Sequence, residues 1–174
     1  MRVLVAAASK HGGTAEMAGW IGSTLIESGI DAVTLAAEDV GELDLFDAVV
    51  LGSGVYAGHW LDAGHRLSTA MIPHLDGRPI WLFSSGPVGD PPKPEGDPVG
   101  IPDLMIRTGA RDHRVFGGRI DRDRLGFGER AVVTALRVAD RDDRPRDEVI
   151  AWARGIAAEL TAVARERVPV TVGD

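Results

Sequence analysis

Continuous apolar runs alternate with amphipathic ones along this chain, and that alternation marks out its elements. Arg2 to Ala8 carries Val3, Leu4, Val5 and then three alanines with no polar interruption, the pattern of a parallel strand covered on both faces. Ser9 to Gly13 reads as a loop. From Thr14 the period becomes helical, with Met17, Ile21 and Leu25 on one face, Trp20 beside them, and Ser28-Gly29 as a stop. Asp31 to Leu35 is a short second strand, Asp44 to Asp47 a turn or single helical turn, and Ala48 to Gly52 a third strand apolar on both faces. Leu61 to Ile72 is helical and ends at Pro73. Asp76-Gly77-Arg78-Pro79 turns the chain into a fourth strand, Ile80 to Phe83.

Ser84 to Gly100 holds five prolines and four glycines, so it is read as an extended loop, and loops of that length are commonly functional. Pro102 suits the first turn of a short helix through Arg107, and Arg114 to Gly118 is a candidate fifth strand. Asp121 to Val138 is read as a helix with Leu125, Val132, Val133 and Leu136 on its apolar side. Asp147 is placed to cap a last helix running to Arg165, with Ile150, Ala153, Ile156, Ala157 and Leu160 on its core face. Strands and helices alternating at this spacing imply an α/β fold, a doubly wound parallel sheet with helices on both faces, because crossovers between parallel strands are right-handed. Residues 1–167 are expected to form one domain and 168–174 a loose tail; no internal repeat is visible.

Composition narrows the chemistry. With 44% apolar and 26% charged residues among 174, the chain has enough core to fold without staples. It contains no cysteine, which removes thiolate nucleophiles, dithiol couples and iron–sulfur ligation, so electron chemistry would need a bound cofactor. His11, His59, His65, His74 and His113 include no i, i+4 pair and no H-E-x-x-H pattern, so no metal site is expected. No apolar run reaches the roughly 20 residues of a membrane span, and the first strand begins at once; a cytoplasmic location is the expectation.

The net charge is −7, yet residues 107–146 hold 11 Arg against 7 Asp or Glu, +4, leaving −11 elsewhere. Nucleic acid is therefore not an expected partner. Within that segment Arg119, Arg122, Arg124, Arg130, Arg137, Arg141, Arg144 and Arg146 could give 119–146 a weak peripheral contact with anionic lipid, or attract a carboxylated substrate. The same arginines, interleaved with aspartates, also suit an ordinary solvated face.

Chemistry concentrates in loops that follow strands. Ser9-Lys10-His11-Gly12-Gly13-Thr14 lies between the first strand and the first helix, where unpaired N–H groups, a partial positive charge, close-approaching glycine backbone and two hydroxyls suit a phosphate dianion. A plain capped turn would use the same residues. The dinucleotide and P-loop fingerprints are both absent. Gly52-Ser53-Gly54-Val55-Tyr56-Ala57-Gly58-His59-Trp60 follows the third strand and offers aromatics able to lie against a planar ring, or to pack as a lid on their own core. Ser84-Ser85-Gly86-Pro87-Val88-Gly89-Asp90 follows the fourth.

The Ser9 to Thr14 loop and the helix Thr14-Ala15-Glu16-Met17-Ala18 resemble the phosphate loop of flavodoxins, a family in which three loops hold flavin mononucleotide (FMN). The resemblance implies a five-stranded sheet of order 2-1-3-4-5. It also implies FMN held by Ser9, Lys10, His11, Gly12, Gly13 and Thr14, by Ser53, Gly54, Val55, Tyr56, Ala57 and Gly58, and by Ser84, Ser85, Gly86, Pro87 and Val88. Ala7 to Thr14, the Gly52 to Trp60 loop, Phe116-Gly117-Gly118-Arg119-Ile120 and Ile150 to Ala157 resemble more closely the menaquinone-dependent protoporphyrinogen oxidase group. That likeness implies an oxidoreductase passing electrons from a reduced small molecule to a quinone or another acceptor. The group's long basic and aromatic insertion before the last helix is shorter here and poor in aromatics. A flavodoxin-type electron shuttle with a redox partner protein, and a flavin-free binding module, remain the other expectations; no residue is assigned as catalytic.

Overall fold

A computed structural model describes residues 1–74, 77–86, 96–135 and 139–166. Strands β1 (Arg2–Ala8), β2 (Asp31–Ala36), β3 (Ala48–Tyr56), β5 (Ile80–Ser85) and β6 (Asp112–Phe116) pair in parallel in the order β2-β1-β3-β5-β6. Counted along the sequence, these five parallel strands stand in the expected order 2-1-3-4-5. A two-residue strand, β4 (His59–Trp60), folds back antiparallel on β3, and β7 (Arg119–Ile120) pairs with β8 (Arg141–Asp142) apart from the main sheet.

Residue alternation along β1 and β3 decides which helix packs where. Val3, Val5, Ala7, Ala48 and Val50 point to the face covered by α1 (Gly13–Glu27) and α5 (Arg146–Glu166) through Met17, Ile21, Leu25, Val149, Ile156 and Leu160. Leu4, Ala6, Ala8, Val49 and Leu51 point to the opposite face, under Leu67 and Met71 of α2 (Asp62–Met71) and Ile101 and Leu104 of α3 (Ile101–Thr108). Each large aliphatic side chain buried this way contributes roughly 1.5–3 kcal/mol, which explains why uninterrupted apolar runs are needed in the central strands. Among the described residues no helix is long and apolar enough to cross a membrane.

Several expected boundaries move. The third and fourth strands run on, through Tyr56 and Ser85, because Ser53 pairs with Ser84 and Gly54 with Ser85 in continuous register; ladder pairing outweighs the low strand propensity of serine and glycine. The fifth strand begins two residues earlier than expected and ends at Phe116, since Asp112 is held in register opposite Trp81. Instead of a helix from Asp121, a single tight turn at Arg122–Arg124 precedes α4 (Phe127–Ala135). The apolar face expected at Val132, Val133 and Leu136 falls on side chains outside the described ones, and so does the 168–174 tail. The last helix starts at Arg146, so Asp147 lies inside its first turn, and Val149 is fully buried while Ile150 is partly exposed.

Candidate functional site

At the carboxyl ends of β1, β3 and β5 a cavity of about 350 Å³ opens between three loops. This is the switch point of the sheet, where chains leaving β1 and β3 diverge to opposite sides and a crevice results. Gly12 sits at φ 83°, a left-handed conformation that glycine adopts without strain, and it turns the chain from β1 into α1. No side chain caps α1. Thr14 is 5% exposed and lines the cavity; the Oγ of Ser9 is buried without a hydrogen-bond partner. An uncapped helix end beside an orphaned hydroxyl is a costly arrangement for a simple turn and a suitable one for an anion.

The expected residues divide into two groups. Ser9, Lys10, His11, Gly13, Thr14, Gly54, Val55, Tyr56, Ser85 and Gly86 line the cavity, with Gly12 forming the bend beneath it. Ser53 and Ser84 do not line it. Both are fully buried, Ser53 Oγ donating to the Gly54 carbonyl and accepting from the Leu61 amide. Ala57 (φ 49°) and Gly58 (φ 80°) form the tip of the β3–β4 hairpin, also outside the lining. Pro87 and Val88 lie outside the described residues. Of the two aromatics, Tyr56 is 40% exposed at the cavity edge, while Trp60 is 3% exposed and part of the core under α2.

Ser84 anchors a buried chain of hydrogen bonds behind the cavity. Asp97 Oδ1, 3.2 Å from His113 Nδ1, only accepts, which puts the proton of the neutral imidazole on Nδ1 and leaves Nε2 to accept from Ser84 Oγ (2.9 Å), itself the acceptor of Trp60 Nε1–H (2.7 Å). The Ser–His–Asp order invites comparison with a hydrolase, but Ser84 is inaccessible within the sheet, so the chain ties the hairpin, β5 and β6 together instead. Burial pushes the His113 pKa below its ordinary 6.5 despite the opposing charges of Asp97 and Asp112. The unfolded chain therefore takes up this proton near pH 6.5 and the folded chain only at lower pH, so stability falls as pH drops through that interval. Urea midpoints measured from pH 7.5 to 5.5 should decline in the native protein and decline less in His113→Gln; equal slopes would remove His113 as the cause.

Sequence reasoning missed the outer wall, formed by Gly118, Arg119, Ile120, Asp121, Leu125 and Glu129. Glu129 accepts from Lys10 Nζ at 2.6 Å and lies 3.1 Å from His11 Nε2. The hydrogen bond from Lys10, then the Gly126 amide and His11, hold its carboxyl at a pKa of about 2. Lys10 also lies over the Tyr56 ring, 5.5 Å from its centre, and burial with the nearby Glu129 charge raises the Tyr56 pKa. Arg119, Arg124 and Arg144 surround Glu16 at 3.0, 3.6 and 2.7 Å. Burial alone would raise the Glu16 pKa, but hydrogen bonds and charges from Arg144 and Arg119 keep it low. Arg141 pairs with Asp143 at 2.6 Å, so much of the arginine segment is spent on internal ion pairs. The signal that could have found this wall is Gly117-Gly118 ahead of Arg119. A side chain at Gly118 would lie 3.2 Å from the Gly86 backbone, so glycine lets the segment lie this close to the β5 loop, which a Cβ would push back by a few tenths of an ångström.

Sheet order, switch-point cavity and an uncapped amide cradle together define a flavodoxin-type nucleotide-binding α/β protein. The family model described as "Flavodoxin domain" matches residues 4–146, and the chain belongs to that family. Among solved structures it is similar to a flavodoxin from the domain Archaea, with 18% identity, a TM-score of 0.65, and coverage of 92% of this chain and 99% of that one. A flavodoxin of Streptococcus pneumonia TIGR4 is comparable at 17% identity and TM-score 0.62, covering 93% and 99% of the two chains. Rubredoxin oxygen:oxidoreductase from Desulfovibrio gigas is 12% identical with a TM-score of 0.62, covering 92% of this chain and 36% of that one. At these identities the likeness concerns the fold alone. No curated protein matches the chain in sequence.

FMN is the cofactor of the flavodoxin family, and the residues present fit it. The orphaned Ser9 hydroxyl and the free amides of α1 would donate hydrogen bonds to a phosphate. Gly54, Val55, Tyr56, Ser85 and Gly86, at the other end of the same cavity, offer the close backbone and the aromatic surface that a planar ring needs.

Proposed function

We propose that this protein binds FMN and works as an oxidoreductase, taking electrons from a reduced small molecule and passing them to a quinone or another acceptor. The observation that carries the reading is the buried, unpartnered Ser9 hydroxyl beside an uncapped helix within a cavity at the switch point. When bound, FMN supplies electron transfer at its ring N5. The residues of this chain hold and shield it. Ser9, Thr14 and the Gly12–Gly13 backbone take the phosphate, Tyr56 and the Gly54–Val55 backbone face the ring, and the Gly118–Leu125 wall excludes water.

The resemblance of Ala7 to Thr14 and Phe116 to Ile120 to the protoporphyrinogen oxidase group makes a porphyrinogen the first substrate to try. A second reading, an electron shuttle that docks to a partner protein, is favoured by the wall itself, which narrows the room for a small substrate beside the ring. Purified protein should be yellow, with an absorption band near 450 nm, and should release FMN on denaturation; a colourless protein that takes up no FMN would end both readings. Turnover of protoporphyrinogen with menaquinone supports the oxidase. Turnover only when a reductase and an acceptor protein are both supplied supports the shuttle.

A further inference from the structure

We propose that Arg119, carried into the site by β7, is a phosphate ligand and makes the protein prefer the phosphorylated flavin over riboflavin; the proposal rests on the FMN reading above. Nothing in the phosphate loop itself brings a guanidinium to the helix end. Arg119 arrives from more than a hundred residues away because Gly118 packs on Gly86 and the Arg119 Cβ stands against Gly13, 3.9 Å from where a side chain there would begin. It lines the same cavity as Ser9 and Thr14.

The hydrogen bonds of this guanidinium are incomplete. Its Nη1 donates to Glu16 at 3.1 Å, its side chain is 15% exposed, and its Nη2 is buried with no partner. Glu16 cannot complete the set, because Arg144 holds the same carboxylate at 2.7 Å and Arg124 approaches at 3.6 Å. Those two have second carboxylates of their own, Asp142 and Asp121. Among the side chains of the described residues two buried polar atoms are thus left unpartnered, Ser9 Oγ and Arg119 Nη2, and both belong to residues lining one cavity. A ligand with several acceptor oxygens would complete both.

Glu129 already pairs with Lys10 and His11 at the rim of this cavity, which leaves Arg119 as the lining cation with a buried, unmade hydrogen bond. A phosphate monoester carries close to two charges at neutral pH, and a planar guanidinium matches its oxygens better than an ammonium does. Riboflavin ends in a hydroxyl and offers Arg119 neither the charge nor the oxygens. Arg119 should therefore act on the ratio of the two affinities and leave ring binding alone.

Flavin-free protein is titrated with FMN and with riboflavin, following the quenching of flavin fluorescence, for the native chain, Arg119→Gln and Arg119→Lys. Melting of each variant without flavin reports on folding. Arg119→Gln is expected to weaken FMN about 10- to 100-fold and to leave riboflavin within about 2-fold, with a shallower salt dependence for FMN. Arg119→Lys, which keeps the charge, should fall between, and it carries the test should the glutamine variant not fold. FMN affinity unchanged in Arg119→Gln, or both flavins weakened by the same factor in either variant, overturns the proposal and leaves FMN binding standing. A native chain that binds neither flavin overturns both.

Discussion

Thr14→Asp is expected to abolish FMN retention. Thr14 is 5% exposed, lies in the first turn of α1 and lines the cavity, so a carboxylate there would occupy the amides meant for phosphate and add a like charge beside it. Two unit charges 4 Å apart interact by about 4 kcal/mol at an effective dielectric constant of 20. Against a dianion the loss of affinity should exceed about 1000-fold, since each 1.4 kcal/mol is tenfold. Thr14→Val, which removes the hydroxyl alone, should cost about tenfold or less. The charged variant should still fold, because an acidic side chain at a helix N-terminus is favourable and aspartate is close to threonine in size. Titration of flavin-free protein with FMN checks both variants. Undiminished flavin content in Thr14→Asp would place the phosphate elsewhere.

Gly52→Ala is expected to lower stability by about 1–3 kcal/mol, the usual range for overpacking a core, and Gly52→Val by more. Gly52 pairs with Ala7 on one side and with Phe83 on the other. Its missing side chain is replaced by the Phe83 ring, which a Cβ would overlap. That ring cannot retreat easily, because Phe116 and Trp152 hold it at centroid distances of 6.5 and 6.2 Å. Phe83→Leu combined with Gly52→Ala should be more stable than the sum of the single losses, since the smaller side chain vacates the space. Urea unfolding with an unchanged slope measures the effect. An alanine variant as stable as the native protein would mean that the ring does not fill this space.

Glu129 gives the cavity a charge balance that the loops alone do not have. Its carboxylate stays ionised down to about pH 2, so it remains a negative charge at the cavity rim at any ordinary pH. On the proposed phosphate site Glu129 and Arg119 would act in opposite directions on the affinity for FMN, and both belong to the 118–129 segment.

Apolar runs such as Val3 to Ala8 and Ala48 to Leu51 revealed the parallel sheet, because a strand buried on both faces has no polar position to interrupt it. The loop joining β1 to α1 was equally legible, since glycines and hydroxyls between a strand and a helix are a local arrangement read over six residues, and it does line the cavity. Local signals failed where partners came from afar. Ser84 looked like a loop residue, yet it is a buried strand residue because Trp60 and His113 satisfy its hydroxyl. Trp60 looked available to a ring and was taken by the core. Arg119 was read with its neighbouring arginines as a contact for lipid or substrate or as part of a solvated face, and Glu129 carried no signal of its own. Which of the 11 arginines of 107–146 meet Glu16, and which carboxylate meets Lys10, depends on how the segment folds back across the mouth of the sheet, and contacts spanning more than a hundred residues leave no periodicity in the sequence.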